Sequence, residues 1–226
     1  LINSLNYFIL SEFTKNNKPY SIISKGSPIK PKLKSIMLPK NMSKIVDNKL
    51  GVFVDVDESN IIYLVSFYLA LFSDEINQFL NKKREYESML YSNRYDEAME
   101  ILDNIEQDIC VTLWGIKQKL VINDLIGGLE QNKLYLESIS KKAQGKAYIE
   151  IIFNWYSVMS ENKTSYDNYQ NSIKKYFDNS EGSMVTYLRY KLDLEYQLDY
   201  KNFSSIMQIE SFSSVIDLYL SFIDLY

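Results

Sequence analysis

Three parts of the sequence carry side chains that could do chemistry. Residues 55–58 (Asp-Val-Asp-Glu) offer carboxylate oxygens, the ligands that Mg²⁺ and Ca²⁺ prefer in proteins. Residues 30–34 (Lys-Pro-Lys-Leu-Lys) lie at the centre of a basic segment that could pair with phosphate groups or with an acidic protein. Cys110 is the chain's single cysteine. Each of these has a simpler structural interpretation that must be compared with the functional one.

The acids at 55–58 precede a predicted helix, where negative charge meets the positive end of the helix dipole. They lack the glycine-bearing loop of a calcium site, so we expect no metal to bind there. Cys110 has no basic neighbour in sequence, and the nearby Asp108 would raise its pKa. We therefore interpret Cys110 as a structural thiol.

Composition excludes most kinds of catalysis. The chain has no histidine, so the usual general base and the imidazole metal ligand are missing. A single cysteine rules out an intrachain disulfide and a cysteine-based zinc site, and it fits a reducing, cytoplasmic setting. No Gly-x-Ser-x-Gly elbow and no glycine-rich phosphate loop occur in the sequence. We expect a non-catalytic protein without catalytic residues, cofactor or metal.

Charge is distributed unevenly along the chain. Between Lys15 and Lys49 there are nine lysines and one acid, Asp47, so this segment carries +8 and the rest must carry −12 of the net −4. Such an arm can dock on its own acidic body or on a partner protein. Nucleic acid is the less favoured alternative, because arginine and interleaved stacking aromatics are missing. The arm lysines that we expect to make contacts are Lys30, Lys32, Lys34 and Lys40.

The elements that position these side chains divide into two regions. All four prolines lie within the first 60 residues, so for region 1–58 we predict a helix near 1–14, a loop-rich arm and a short strand at 51–54. Region 59–226 contains no proline and shows helical periodicity throughout. It opens with a predicted long helix, capped by Ser59 or Asn60, that runs through 61–72 toward 81–84. The apolar run 61–72 is too short for the roughly 20 residues of a membrane span.

Four similar segments then recur along the helical region. They begin at Tyr95, Leu129, Tyr166 and Tyr200, which are 34, 37 and 34 residues apart. A period of this length is typical of stacked helical hairpins, since one hairpin cannot bury its apolar face alone. The predicted turns lie at 92–94, 127–128, 160–165 and 198–199. Residues from 211 onward indicate the first helix of a fifth hairpin.

The segment 93–99 (Asn-Arg-Tyr-Asp-Glu-Ala-Met) resembles the tetratricopeptide-type helical repeats, and the resemblance extends over about 80–226. It implies an all-α fold, a right-handed array of antiparallel helical hairpins. At the position of the small Ala98, the later repeats carry Asn132, Tyr169 and Phe203, so wider helix crossings are expected there.

Some repeats of this type hold a partner's terminal carboxylate with a lysine and an asparagine on successive turns of a first helix. The corresponding residues here are Lys83 and Glu87. A glutamate would repel a carboxylate, so we do not expect that kind of clamp.

We therefore expect a scaffold that binds another protein or a peptide through the first helices of its hairpins, with a second copy of the chain as another partner. Richness in Ile, Asn, Lys and Tyr is what codons of an AT-rich genome produce, so we expect a bacterial protein. The alternatives are a nucleic-acid-linked regulator or defence-type subunit that uses the arm, and an accessory subunit of an enzyme. Without an initiator methionine, and ending in an apolar-periodic stretch, the chain is expected to be part of a longer protein. The predicted contact residues are Lys83, Glu87, Tyr91, Lys117, Asp124, Asn154, Glu195 and Tyr196.

Overall fold

The structure, a computed structural model, describes residues 29–47, 58–143, 147–161, 164–196, 200–211 and 213–225. These residues form helices and connecting turns, and no strand occurs among them. The all-α fold class predicted from the sequence is thus confirmed. In chain order the helices are α1 (Ile29–Met37), α2 (Met42–Asp47), α3 (Glu58–Leu71), α4 (Ser73–Tyr91), α5 (Tyr95–Asp108), α6 (Leu113–Lys142), α7 (Ala147–Ser160), α8 (Tyr166–Tyr176), α9 (Ser183–Leu192), α10 (Tyr200–Glu210) and α11 (Val215–Leu225).

Within 29–47 the basic arm forms two short helices joined by a non-helical connection at 38–41, so this segment contains more helix than its prolines led us to expect. Pro31 falls in the first turn of α1, where a missing N–H costs no intrahelical hydrogen bond. Leu33, Met37 and Ile45 are buried and belong to the same apolar core as the rest of the chain. The predicted helix at 1–14 and strand at 51–54 lie outside the described residues.

The predicted long helix through 61–84 is two helices, α3 and α4. The break falls at Phe72, whose backbone (φ −110°, ψ 23°) leaves the helical region while its ring is buried. The bend lets Ile76 and Phe79 of α4 face the core as well. Helix α3 is rich in apolar residues, and neighbouring helices pack against it and bury many of them. Within the described ranges, no helix has both the length and the apolar composition needed to cross a bilayer.

The turn between α4 and α5 follows the predicted asparagine. Asn93 adopts φ 57°, a left-handed conformation that asparagine tolerates better than most residues. The N–H of Arg94 donates to the Met89 carbonyl (2.9 Å), and the N–H of Asn93 donates to the Leu90 carbonyl (3.1 Å). This pair of bonds is the Schellman motif, which satisfies the last carbonyls of α4 and reverses the chain.

The second predicted hairpin lies inside α6. Gly128 has φ 66° and ψ −161°, a conformation essentially restricted to glycine, and it interrupts the helix. The amide of Asn132 donates to the Leu120 carbonyl at 3.2 Å, although twelve residues separate them. Twelve residues of straight helix would span about 18 Å. The chain therefore folds back on itself at Gly127-Gly128.

The other hairpins follow the predicted boundaries closely. Helices α5, α8 and α10 begin at three of the four repeat starts, and Ser165 caps α8 by accepting the Asn168 N–H at 3.2 Å. Helix α9 ends at Leu192, ahead of the turn predicted at 198–199, because Asp193 is extended. The fourth residue of each repeat is buried in every case, namely Ala98, Asn132, Tyr169 and Phe203. The sequence period thus marks one recurring core position.

Helices far apart in sequence also pack together. In an open array each hairpin contacts only its neighbours. Here α3 packs against α10 and α11, and α11 packs against α4. These contacts join the first and last helices of the described helical region, and the solenoid arrangement and the handedness of stacking stay predictions. The helical region predicted to begin at 59 starts at Glu58 with α3.

Candidate partner-binding cleft

A cleft of about 660 Å³ opens where α6, α7, α9 and α11 meet. Its volume lies within the range of about 300–1,000 Å³ typical of ligand sites. The lining is aromatic and charged. It consists of Leu113, Trp114, Lys117, Tyr156, Tyr190, Lys191, Asp193, Leu194, Tyr196, Asp217, Leu220, Ser221 and Asp224.

The aromatic walls are held in place from behind. The Trp114 ring meets Phe79 and Tyr86 edge-on, with centroid distances of 5.1 and 5.5 Å. The Tyr190 hydroxyl donates to Asp224 Oδ2 at 3.1 Å, and the Tyr196 hydroxyl accepts the Asn202 amide at 2.8 Å. Because these side chains are fixed before any ligand arrives, a ligand would not need to order them.

An ion pair lies at the base of the cleft. The ammonium of Lys191 pairs with the carboxylate of Glu210, which is fully buried. The Ser221 hydroxyl donates to Glu210 Oε1 at 2.9 Å and accepts from Lys191 Nζ at 3.0 Å. This network joins α9, α10 and α11 beneath the cleft floor.

A second buried carboxylate caps α6. Asp217 Oδ2 accepts the Leu113 N–H at 2.9 Å and Asp217 Oδ1 accepts the Trp114 N–H at 3.0 Å. The Ser214 hydroxyl also donates to Asp217 Oδ2, at 2.7 Å. Burial and the negative charge of Glu210 raise the pKa of Asp217, while Lys191 and these hydrogen bonds oppose the rise. Asp217 thus fixes the end of α6 that forms one cleft wall.

Lys117 is the cation of the cleft that lacks an opposite charge. Its ammonium lies 5.5 Å from the centroid of the Tyr156 ring. Among the described residues no carboxylate forms an ion pair with it, and the side chain is half-buried. Burial lowers the pKa of Lys117, and the positive charge of Lys191 lowers it further. Such an ammonium is suited to receiving an anion.

The predicted contact face is divided among several surfaces. Lys117 and Tyr196 line the cleft, and Glu195 borders it, paired with Lys174. Lys83 and Glu87 pair with each other on α4. Tyr91, at the end of that helix, is 84% exposed.

The two remaining predicted contact residues lie apart from the cleft. The Asn154 amide donates to the Glu150 carbonyl at 2.8 Å and lies in a separate shallow groove. Asp124 requires a correction, because it is only 4% exposed and is therefore buried within the chain.

Sequence patterns did not reveal Tyr190, Lys191, Glu210 or Asp217. The one usable signal was Ser214 followed three residues later by Asp217, a spacing that predicts a helix start. That local cap exists, since the Asp217 N–H donates to Ser214 Oγ at 3.0 Å. The longer-range bonds of Asp217 to α6 depend on tertiary packing and have no signature in the sequence.

Two of the arm lysines, Lys34 and Lys40, have partners within the chain. Lys34 pairs with Glu75 at 3.1 Å. Lys40 donates to the carbonyls of Gln107 (2.9 Å) and Asp108 (3.0 Å), at the end of α5 where the helix dipole favours a cation. The side chains of Lys30 and Lys32 lie outside the described set. At Lys34 and Lys40 the arm docks on its own body.

Cys110 and residues 55–58 give weaker support for a functional site than the cleft does. Cys110 is buried, and burial raises the pKa of its thiol, with the charge of Asp217 acting in the same direction. Of residues 55–58 the structure describes only Glu58, at the start of α3. In the described ranges, no group of three or more His, Cys, Asp or Glu side chains is placed to hold a metal ion.

No family model, no curated protein and no solved structure matches the chain.

Proposed function

We propose that this chain is a non-catalytic helical scaffold that binds a segment of another protein in the cleft between α6, α7, α9 and α11. The observation that carries the proposal is the cleft's composition: fixed aromatic walls beside a lysine with no counter-charge. Tryptophan and tyrosine are enriched among the few residues that dominate binding energy at protein interfaces, and a preformed site binds at a lower ordering cost. The tetratricopeptide-like repeat, with right-handed stacking, is part of this proposal.

The groups in the cleft support binding rather than catalysis. Ser221 and Lys191 are 3.0 Å apart, a pairing that a serine nucleophile and a lysine base could use. A lysine base would need a free amine, whereas the Lys191 amine already pairs with Glu210. The Ser221 hydroxyl is buried and already donates to Glu210. Neither side chain is free to act as a nucleophile or a base.

The cleft is also a better candidate contact than the arm. Lys34 and Lys40 already have partners within the chain, so binding nucleic acid with them would break those contacts. We accordingly place the partner at the cleft and expect no DNA or RNA binding that falls steeply with salt.

Selection from a phage-displayed random peptide library tests the proposal. Selected peptides should bind the wild-type chain and lose binding to Leu194→Arg, because Leu194 lies at the cleft rim and is 48% exposed. The matched control is Leu134→Arg, on another surface, where the leucine is 55% exposed. Peptide binding that both variants retain equally, or an empty selection, would contradict a peptide-binding cleft. Self-association blocked by Leu194→Arg would instead identify a second copy of the chain as the partner.

A further inference from the structure

The charged groups that face the cleft are not equally satisfied. Asp217 accepts two backbone N–H groups and one hydroxyl. Asp224 accepts the Tyr190 hydroxyl, and Asp193 accepts the Gln170 amide and the Glu195 N–H. Lys191 has Glu210 and Ser221. Of the charged groups that line the described cleft, only Lys117 has no hydrogen-bond or ion-pair partner.

Lys117 differs from an ordinary surface lysine because its side chain is half-buried in the cleft. Its ammonium is near the Tyr156 ring and experiences the positive charge of Lys191, with no carboxylate beside it in the described structure. Lys191 is paired with Glu210, so Lys117 is the cleft cation to which a carboxylate could add an opposite charge. Burial lowers the pKa of Lys117, and the positive charge of Lys191 lowers it further. An incoming negative charge would offset both the burial and the repulsion.

The remaining lining shows which anion would fit. A cleft of about 660 Å³ is far larger than an inorganic ion, and Trp114, Tyr190 and Tyr196 give it apolar walls. A peptide that carries a carboxylate next to aromatic or aliphatic side chains matches both features. A basic peptide would place a like charge against Lys117, and the cleft carboxylates Asp193, Asp217 and Asp224 already have hydrogen-bond donors within the chain.

We propose that the protein segment bound in the cleft is acidic, with a side-chain carboxylate against Lys117 and flanking apolar side chains against Trp114, Tyr190 and Tyr196. This inference rests on the proposed function, because it specifies the chemistry of the partner at the same site. Lys117 is the residue that sets the preference for an acidic segment. Lys191 is already paired with Glu210.

The experiment uses three pools of short fluorescein-labelled synthetic peptides. The pools share the same random Phe, Leu and Tyr positions and differ only in carrying Glu, Gln or Lys at the intervening positions. Fluorescence anisotropy gives the affinity of each pool for the wild-type chain and for Lys117→Met. The matched control is Lys83→Met, which removes a lysine outside the cleft.

The Glu pool should bind wild type at least about tenfold tighter than the Gln pool. Lys117→Met should bring the Glu pool to the affinity of the Gln pool, while Lys83→Met should leave all three affinities unchanged. In NMR titrations the pKa of Lys117 should rise when the Glu pool is bound. A purely structural role for Lys117 would not produce that rise.

Three results would overturn the inference, and they are distinguishable. If the Glu and Gln pools bind equally and Leu194→Arg abolishes both, the cleft binds peptides but does not select acid. If the Lys pool binds best, the assigned charge preference is wrong in sign. If no pool binds wild type, the proposed function fails together with the inference.

Discussion

The carboxylate of Asp217 accepts the backbone N–H of Leu113 at 2.9 Å, so a residue of α11 caps a helix that begins 104 residues earlier. Thr112 supplies the ordinary local cap of the same helix by accepting the Gly115 N–H at 2.8 Å. Between them the two side chains satisfy three of the four N–H groups that a helix start leaves without partners. One cleft wall therefore depends on the C-terminal helix for its position.

Replacing Asp217 by alanine should lower the free energy of unfolding by about 2–3 kcal/mol, because two N–H groups of α6 would lose their acceptor in a buried place. Urea denaturation measures this directly. Asp224→Ala on the same helix is the matched control, since that carboxylate is exposed and, among the described residues, accepts only the Tyr190 hydroxyl. It should cost less than about 1 kcal/mol. Equal losses in the two variants would show that the cap contributes nothing specific.

The contribution of Asp217 to stability should decrease as pH rises. Its pKa is raised above the ordinary carboxyl value of 3.8, so between 3.8 and the raised value the folded chain holds more protons than the unfolded chain. Stability then falls with increasing pH across that window. Measured from about pH 4 to about pH 7, the unfolding free energy of wild type should decline relative to that of Asp217→Asn. A difference that grows with pH would mean that the shift has the opposite sign.

Two lysines of the cleft should respond oppositely to the same substitution. Lys117→Met removes a half-buried charge that has no partner and keeps most of the side-chain volume, so stability should rise by about 0.5–1 kcal/mol. Lys191→Met should cost about 3 kcal/mol, because Glu210 would remain buried without its ion pair. Thermal unfolding of the two variants provides the comparison. A loss of stability in Lys117→Met would indicate a partner that the described residues do not include.

Substitutions at Gly128 should weaken the α6 hairpin. The backbone there (φ 66°, ψ −161°) is strained for any residue with a Cβ, although a Cβ would meet no atom within 4 Å. Alanine should cost about 1–3 kcal/mol through the backbone alone, and asparagine should not relieve it. Asn93 is the informative contrast, because its φ of 57° lies in the left-handed helical region and Asn93→Gly should be neutral or slightly stabilising. Urea midpoints that do not change in Gly128→Ala would contradict this account.

Much of the fold follows from local signals in the sequence. Asn93 and Gly127-Gly128 were recognisable as turns because few residues tolerate their backbone conformations. Three repeat starts coincide with helix starts because the apolar periodicity resumes there. These features depend on the residues themselves and their immediate neighbours.

Other features depend on tertiary contacts and could not be predicted. The bend at Phe72 contains no glycine or proline from which it could be predicted. It exists because both flanking helices bury their apolar faces. The prolines predicted a loop where α1 forms. That prediction was wrong because Pro31 lies in the first turn of the helix, where proline is tolerated. The same limit applies to the cleft. Periodicity predicts that Lys117 and Tyr196 lie in the helical hairpins, but only the packing of helices distant in sequence brings them into one cleft with Tyr190 and Asp217.

The packing of α3 against α10 and α11 also bears on how the chain folds. These contacts join residues far apart in sequence, so this protein has a higher contact order than a linear repeat array. They can form only after most of the intervening helices have formed and packed. Linear arrays can lose an end repeat and unfold from that end in steps. Here loss of the C-terminal helix would uncover α3 and also release the cap of α6. Unfolding should therefore be a single cooperative transition in which cleft and core are lost together.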